Sequence, residues 1–391
     1  MTNLPQGWEV KTLSEIGEII TGSTPSKSNV EFYGKDYPFF KPSDFEQGYF
    51  LENAGDNLSK LGFGKARQLP PKTILVVCIG SLGKVALTRV IGSCNQQINA
   101  IIPHKNIISE YIYYYCISSK FQSILFSKAP QTTLAIFNKT EFSKLEIIYP
   151  KDIKKQERIV GILDENFAKI DENIKILEQD LLNLDELMQS ALQKAFNPLK
   201  DNAKENYKLP QGWEWKSLEE ISENISAGGD KPKNCTESKT AKNQIPVYAN
   251  GVNNNGLVGY TDKATIIKPS LTISARGTIG FVCIRKEPYF PIVRLISLIP
   301  CENILCLHYL YFCLNFFIAK GEGSSIPQLT IPKFKSLQIP LPPLKEQEQI
   351  AEHLDFVFEK AKALKELYTK ELKDYEELKQ SLLNKAFKGE L

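Results

Sequence analysis

The chain has 391 residues, 42% of them apolar and 24% charged, with a net charge of +3. That length exceeds one ordinary core and suits two globular domains with connecting elements, and the composition is that of a globular chain. The near-neutral balance excludes a broad basic coat, so any surface for a polyanion must come from local clustering. Eight cysteines without a C-x-x-C pair, beside only three histidines, argue against a zinc site. They predict buried free thiols in a reducing cytoplasm. The opening "MTNLPQGWEV" has no apolar h-region, so no secretory leader is expected.

Taken in chain order, the first half begins with "LPQGWE" at 4–9, which holds one of only three tryptophans. A polar, Gly- and Ser-containing middle follows, and then the apolar runs 73–80 and 84–92, which read as short strands. A helix is expected around 109–126. Residues 153–197 contain no proline and one glycine. From Val160, apolar residues recur in alternating steps of three and four through Leu163, Phe167, Ile170, Ile174, Leu177, Leu181, Leu184, Met188, Ala191 and Ala195. That is a heptad seam of about five repeats, a strong signal for a long paired helix. "NP" at 197–198 stops it.

The second half restarts with "LPQGWEW" at 209–215. Strands are expected at 270–277, 279–286 and 293–300, and a helix at 303–319. The run 304–319 is too short for a membrane span and carries His308 and Asn315, so it reads as a buried helix. Residues 345–388 form the second long helix, ended by Gly389. Its seam reads Ile350, Leu354, Val357, Ala361, Leu364, Tyr368, Leu372, Tyr375, Leu378 and Leu382, with a stutter at Tyr368.

The halves match in order. "GSLGKVAL" (80–87) pairs with "GTIGFVCI" (277–284), "FSKLEIIYP" (142–150) with "FKSLQIPLP" (334–342), "QERIVGILD" (156–164) with "QEQIAEHLD" (347–355), and "LMQSALQKAF" (187–196) with "LKQSLLNKAF" (378–387). This is a tandem duplication. The middles, 22–79 and 225–276, share almost nothing, which predicts one scaffold carrying two different surfaces. The expected fold class is α+β: two globular domains separated by two long helices in an antiparallel coiled coil, with a pseudo-two-fold axis. The expected boundaries are 1–150, a first helix at 151–198, a linker at 199–208, a second domain at 209–343 and a second helix at 344–391.

Loops of both domains are rich in groups that can meet base edges, since Asn and Gln match adenine and Arg and Lys match guanine. In the first domain these are Ser23, Thr24, Lys27, Lys41, Ser43, Ser81, Lys84, Asn95, Gln96, Gln97 and Gln131. In the second they are Lys231, Lys233, Asn250, Asn253, Asn254, Arg276, Arg294, Ser324, Ser325 and Gln328. Residues 1–150 hold 15 basic against 12 acidic side chains, and 209–342 hold 14 against 10, so both domains are mildly basic. No phosphate-binding loop, methyltransferase-like (Asp/Asn)-Pro-Pro-aromatic motif or Ser/His/Asp constellation is present, and the chain reads as a binder, not a catalyst.

The two "LPQGWE" starts, the "GSLG" and "GTIG" turns, "QQINAI" (96–101), "PLPPLKEQEQIAEHLD" and the "LKQSLLNKAF" tail resemble the specificity (S) subunit of type I restriction–modification enzymes. The resemblance covers essentially the whole chain. It implies two target-recognition domains, each reading one half of a bipartite site on double-stranded DNA, and helices that set the spacing. It also implies docking of two methyltransferase (M) subunits and, in the full complex, two restriction (R) subunits. Those partners would use S-adenosylmethionine, ATP and Mg²⁺; this chain would bind no cofactor or metal and no membrane. The recognition subunit of a type IIB-like or fused restriction system and a non-DNA coiled-coil adaptor are the alternatives.

Overall fold

Each repeated hexamer leads into a strand that is closed by the far end of its own domain. The computed structural model describes residues 4–128, 136–196, 209–318, 321–322 and 329–391. Among its described residues the first domain has ten strands: β1 (Trp8–Thr12), β2 (Gly17–Thr21), β3 (Tyr33–Phe40), β4 (Phe50–Leu51), β5 (Asp56–Leu58), β6 (Ile74–Val77), β7 (Val85–Thr88), β8 (Ser93–Cys94), β9 (Ile98–Pro103) and β10 (Glu146–Pro150). β1 and β10 run antiparallel, from Trp8 opposite Pro150 to Thr12 opposite Glu146. The larger sheet has the order β2-β9-β6-β7-β4 and the smaller β5-β3-β8. β6 is covered on both faces, which explains its unbroken apolar run. The helix expected at 109–126 is two helices, Ser109–Ile117 and Ser119–Lys128. Ser118 between them is extended, and its hydroxyl donates to the Tyr115 carbonyl at 2.7 Å, competing with the helical ladder.

The described residues of the second domain form eleven: β11 (Glu214–Ser217), β12 (Ser222–Ala227), β13 (Ile245–Tyr248), β14 (Leu257–Thr261), β15 (Ser270–Ile273), β16 (Thr278–Ile279), β17 (Val282–Arg285), β18 (Phe290–Pro291), β19 (Ile296–Pro300), β20 (Gly321–Glu322) and β21 (Gln338–Leu341). β11 pairs with β21, the sheets are β12-β19-β15-β17 and β14-β13-β18, and β16 pairs with β20. The orders repeat those of the first domain, except that the larger sheet has no counterpart of β4 among the described residues. So does the parallel pair: Phe39 and Phe40 lie opposite Ser93 and Cys94, as Val247 and Tyr248 lie opposite Phe290 and Pro291. The middles that share almost no sequence therefore share a topology. The helix expected at 303–319 is confined to Leu307–Phe317.

The long helices span Ile153–Phe196 and Leu344–Lys388. Gly389, at φ +76°, follows the second; a Cβ there would meet Pro5 Cγ at 2.8 Å, so the tail and the first hexamer are in contact. The "NP" stop at 197–198 lies outside the described residues. By compactness the chain divides into two units, Met1–Leu177 with Thr369–Leu391, and Glu178–Tyr368, so each takes part of both helices. In the first unit Phe387 packs edge-on against Tyr111 and Tyr115, and Lys379 pairs with Asp171 at 2.7 Å. In the second unit Phe196, the repeat partner of Phe387, packs on Tyr309 and Phe316, and Lys365 pairs with Asp185. From Asp171 to Asp185 the first helix advances fourteen residues, while from Lys379 to Lys365 the second retreats fourteen, which is two heptads of an antiparallel coiled coil.

These pairs correct the second seam. Leu364 and Leu378 are exposed, at 38% and 45%. The covered positions run Leu354, Phe358, Ala361, Lys365, Tyr368, Leu372, Tyr375, Lys379, Leu382 and Ala386, in regular steps of four and three without a stutter. A lysine serves in the seam because its stem covers apolar surface while its ammonium meets an aspartate across the helix pair. Lys379 also sits 5.9 Å from the centre of the Phe167 ring.

Each domain is tied to its long helix by one buried glutamine. The Gln156 amide donates to the carbonyls of Asn106 (3.2 Å) and Pro150 (2.9 Å) and accepts from the Ile108 amide at 3.0 Å. Gln347 repeats the set with Ile304, Pro342 and Cys306, at 2.9, 2.8 and 2.9 Å. Both glutamines are fully buried. The neighbouring position differs. Glu346 accepts from Trp213 Nε1 at 3.0 Å, whereas its counterpart Lys155 lies 5.4 Å from the Trp8 ring centre and leaves the buried Trp8 Nε1 without a partner among the described residues. Lys155→Glu should therefore stabilise the first unit by about 1 kcal/mol, because an unmade buried hydrogen bond costs about 1–3 kcal/mol and outweighs the ~0.5–1 kcal/mol cation–π contact given up. A thermal midpoint that falls in the variant would count against this assignment.

Candidate nucleic-acid interface

In the first domain the antiparallel order brings the end of β2, the start of β9, the end of β6 and the start of β7 to one edge of the larger sheet. The parallel pair β3 and β8 ends there too: the Asn95 amide donates to the Phe40 carbonyl at 3.1 Å, and the Ser23 amide to the Cys94 carbonyl at 3.0 Å. Loops 22–24, 41–43, 79–84 and 94–97 therefore form one edge, and nearly all the first domain's candidates stand on it.

Their side chains are not equivalent there. Asn95 is buried; its amide donates to Gln97 Oε1 at 2.8 Å and its oxygen accepts from the Gln97 backbone at 3.0 Å. Its polar atoms are thus turned to shaping the turn that displays Gln96 and Gln97. Lys41 pairs with Asp56, and Lys84 with Glu46, whose carboxyl is held below its usual range by that hydrogen bond. Thr24 donates to Gln96 Oε1, and Ser23 Oγ accepts from the Arg67 amide at 3.3 Å. Ser43, Ser81 and Lys27 are exposed, and Lys27 has no ion-pair partner among the described residues. Gln131 lies outside the described residues. Arg67, whose guanidinium donates to the Thr21 carbonyl, also joins this edge; "GKARQLP" gives no local signal for it.

The second domain builds the corresponding edge from the end of β12, the start of β19, the end of β15 and the start of β17. It carries Asn250, Arg276 and Arg294. The turn before β19, where "VR" (293–294) stands, occupies the place of Gln96–Gln97 in the first domain. Asn253 and Asn254 belong to a tight turn in which Asn254 and Asn255 are left-handed, a conformation their short polar side chains tolerate. Lys231 and Lys233 are exposed, but Lys233 is set toward the other end of β14: its neighbour Asn234 donates to Asp262 at 2.6 Å and accepts from Thr261 at 3.1 Å. Ser324, Ser325 and Gln328 lie outside the described residues.

Burial pushes Cys94 and Cys78, beneath the first domain's loops, up to about 12, so both stay protonated. Among the described residues no cluster of His, Cys, Asp or Glu suits a metal ion, and no helix is long and apolar enough to cross a membrane.

The sequence matches the family described as "Type I restriction modification DNA specificity domain" over residues 5–180 and again over 210–373. The chain belongs to that family. It is a type I specificity subunit with two tandem target-recognition domains. Over 396 residues it is 24% identical to the MjaIX specificity subunit of Methanocaldococcus jannaschii, covering 91% of this chain and 88% of that one. Over 186 residues it is 39% identical to the HindI specificity subunit of Haemophilus influenzae, a match covering 46% of this chain and only 40% of that relative. In fold, this specificity subunit superposes with a TM-score of 0.82, at 19% identity and full coverage of both chains, on a chain solved in work on complex assembly and conformational transition of the type I R-M system. The HsdS subunit of Thermoanaerobacter tengcongensis gives 0.58 at 19% identity, covering 99% and 98% of the two chains.

Proposed function

We infer that this specificity subunit reads a bipartite site on duplex DNA, one half with each domain's loop edge, while the paired helices fix the spacing between the halves. One observation carries this reading. The same strand ends recur in both domains but present different side chains, with the exposed Gln96 in one and the exposed Arg294 in the other. Such an arrangement suits one docking mode with two base preferences. Two linked readers add their discrimination when the spacing fits, since each mismatch costs about 1–3 kcal/mol.

The chain would be non-catalytic and cytoplasmic and would bind no cofactor. Two methyltransferase subunits, using S-adenosylmethionine, would dock on it, and two restriction subunits, using ATP and Mg²⁺, would complete the enzyme. Exposed Phe356 and Leu367, each 60% accessible on the second helix, support docking of a partner. Exchanging residues 22–142 for the matching segment of another specificity subunit should change one half of the methylated motif and leave the other intact. A change in both halves would refute separable reading. Failure of the chain to bind duplex DNA at low salt would favour an adaptor.

A further inference from the structure

In the second domain Val293 and Arg294 are both left-handed, at φ +54° and +59°. A β-branched residue is rarely found there, and two consecutive non-glycine residues in that region need support from their surroundings. The support is visible. The Val293 and Arg294 amides donate to the carbonyls of Gly229 and Gly228, each at 2.8 Å, and Gly228 donates back to the Leu295 carbonyl at 2.8 Å. Gly228 is required for this approach, since a Cβ would lie 2.5 Å from the Pro291 carbonyl carbon. A further tie is Asn250, whose Nδ2 donates to the Val293 carbonyl at 2.6 Å and whose Oδ1 accepts from the Ala275 amide at 2.8 Å.

Asn250 thus joins two turns, one bearing Arg276 next to Ala275 and the other bearing Arg294. The Arg294 side chain is exposed, and its guanidinium has no hydrogen-bond or ion-pair partner among the described residues. A strained turn held by this many bonds, with an exposed guanidinium at its tip, is organised toward something outside the domain. With Nδ2 and Oδ1 each bonded to backbone, the amide plane of Asn250 is fixed by the two turns and cannot turn its remaining N–H and lone pair to a base edge together.

We propose that Asn250 is a positioning residue that never touches a base, and that Arg294, aimed by the strained turn, contacts the DNA and selects a guanine in the half-site read by the second domain. A guanidinium matches the O6/N7 edge of guanine in a two-bond fork. The proposal rests on the reading that this edge faces DNA, and it replaces the expectation that Asn250 reads a base directly.

The test is selection from a pool of duplexes with a randomised window, using the intact chain and sequencing what it retains. Wild type should enrich a two-part motif. Arg294→Ala should make a guanine position in one half degenerate, with roughly a ten- to hundredfold loss of preference there, and leave the other half unchanged. Asn250→Ala should relax the same position, and the double variant should go no further than either single one. Val293→Gly, which any backbone can accommodate, should relax that position without lowering the thermal midpoint. Should Asn250→Ala unfold its domain, Arg294→Ala and Val293→Gly still decide the matter, because Arg294 is a surface side chain. A position lost in Asn250→Ala but kept in Arg294→Ala would show that Asn250 reads a base itself and would overturn the proposal. So would uniformly weaker binding to an unchanged motif in Arg294→Ala, which marks a phosphate contact. A wild-type chain that enriches no motif would overturn the DNA reading and this proposal with it, whereas a wild-type motif indifferent to these variants overturns the proposal alone.

Discussion

Gln347→Met is expected to destabilise the second unit by about 3 kcal/mol, far more than its conservative volume suggests. Methionine fills the same space, so packing changes little. It cannot accept from the Cys306 amide or donate to the Ile304 and Pro342 carbonyls. The Pro342 carbonyl would be left buried at a cost of about 1–3 kcal/mol, and the part-buried Ile304 carbonyl and Cys306 amide would add to it, offset in part by local relaxation. Gln156→Met should act in the same way on the first unit through Ile108, Asn106 and Pro150. Hydrogen exchange resolves the two: the Cys306 amide should exchange on the order of a hundredfold faster in Gln347→Met, and the Ile108 amide in Gln156→Met. Unchanged protection of both amides would show that neither bond set holds its domain to its helix.

Removing one heptad from each helix between its two ion pairs, 174–180 and 370–376, should keep Asp171–Lys379 and Asp185–Lys365 intact, because both intervals shrink from two heptads to one. Seven residues at ~1.5 Å each shorten each helix by about 10 Å. At ~3.4 Å per base pair, the preferred gap between half-sites should shrink by roughly three base pairs. The domains must also follow the duplex around by more than a quarter turn, since ~10 base pairs make one turn, so methylation of the full site should be lost while half-site binding survives. Binding to duplexes with graded gaps measures this directly. A folded variant with an unchanged gap preference would show that the helices brace the domains without setting the distance.

The repeat, the two long helices and the family resemblance were legible because they are written locally. Heptad spacing, a paired Trp-containing hexamer and proline boundaries need no knowledge of distant segments. The second seam was misplaced because Leu364 and Leu378 look more apolar than Lys365 and Lys379. Only the aspartates opposite show why lysines belong there. Asn95 and Asn250 carry amides that suit adenine, and only the fold shows that each amide also bonds the domain's own turns.

The sequence by itself determined the duplication, the class of fold, the extent of the helices and the absence of recognisable catalytic motifs, since periodicity and motif spacing survive without three-dimensional context. Tertiary structure alone decided that the dissimilar middles share one topology, that Gln156 and Gln347 lock each domain to its helix, and which polar side chains remain available at the loop edge. The reason is physical. A polar side chain's role depends on which backbone groups it can reach, and the groups that matter here come from strands and turns up to 50 residues away.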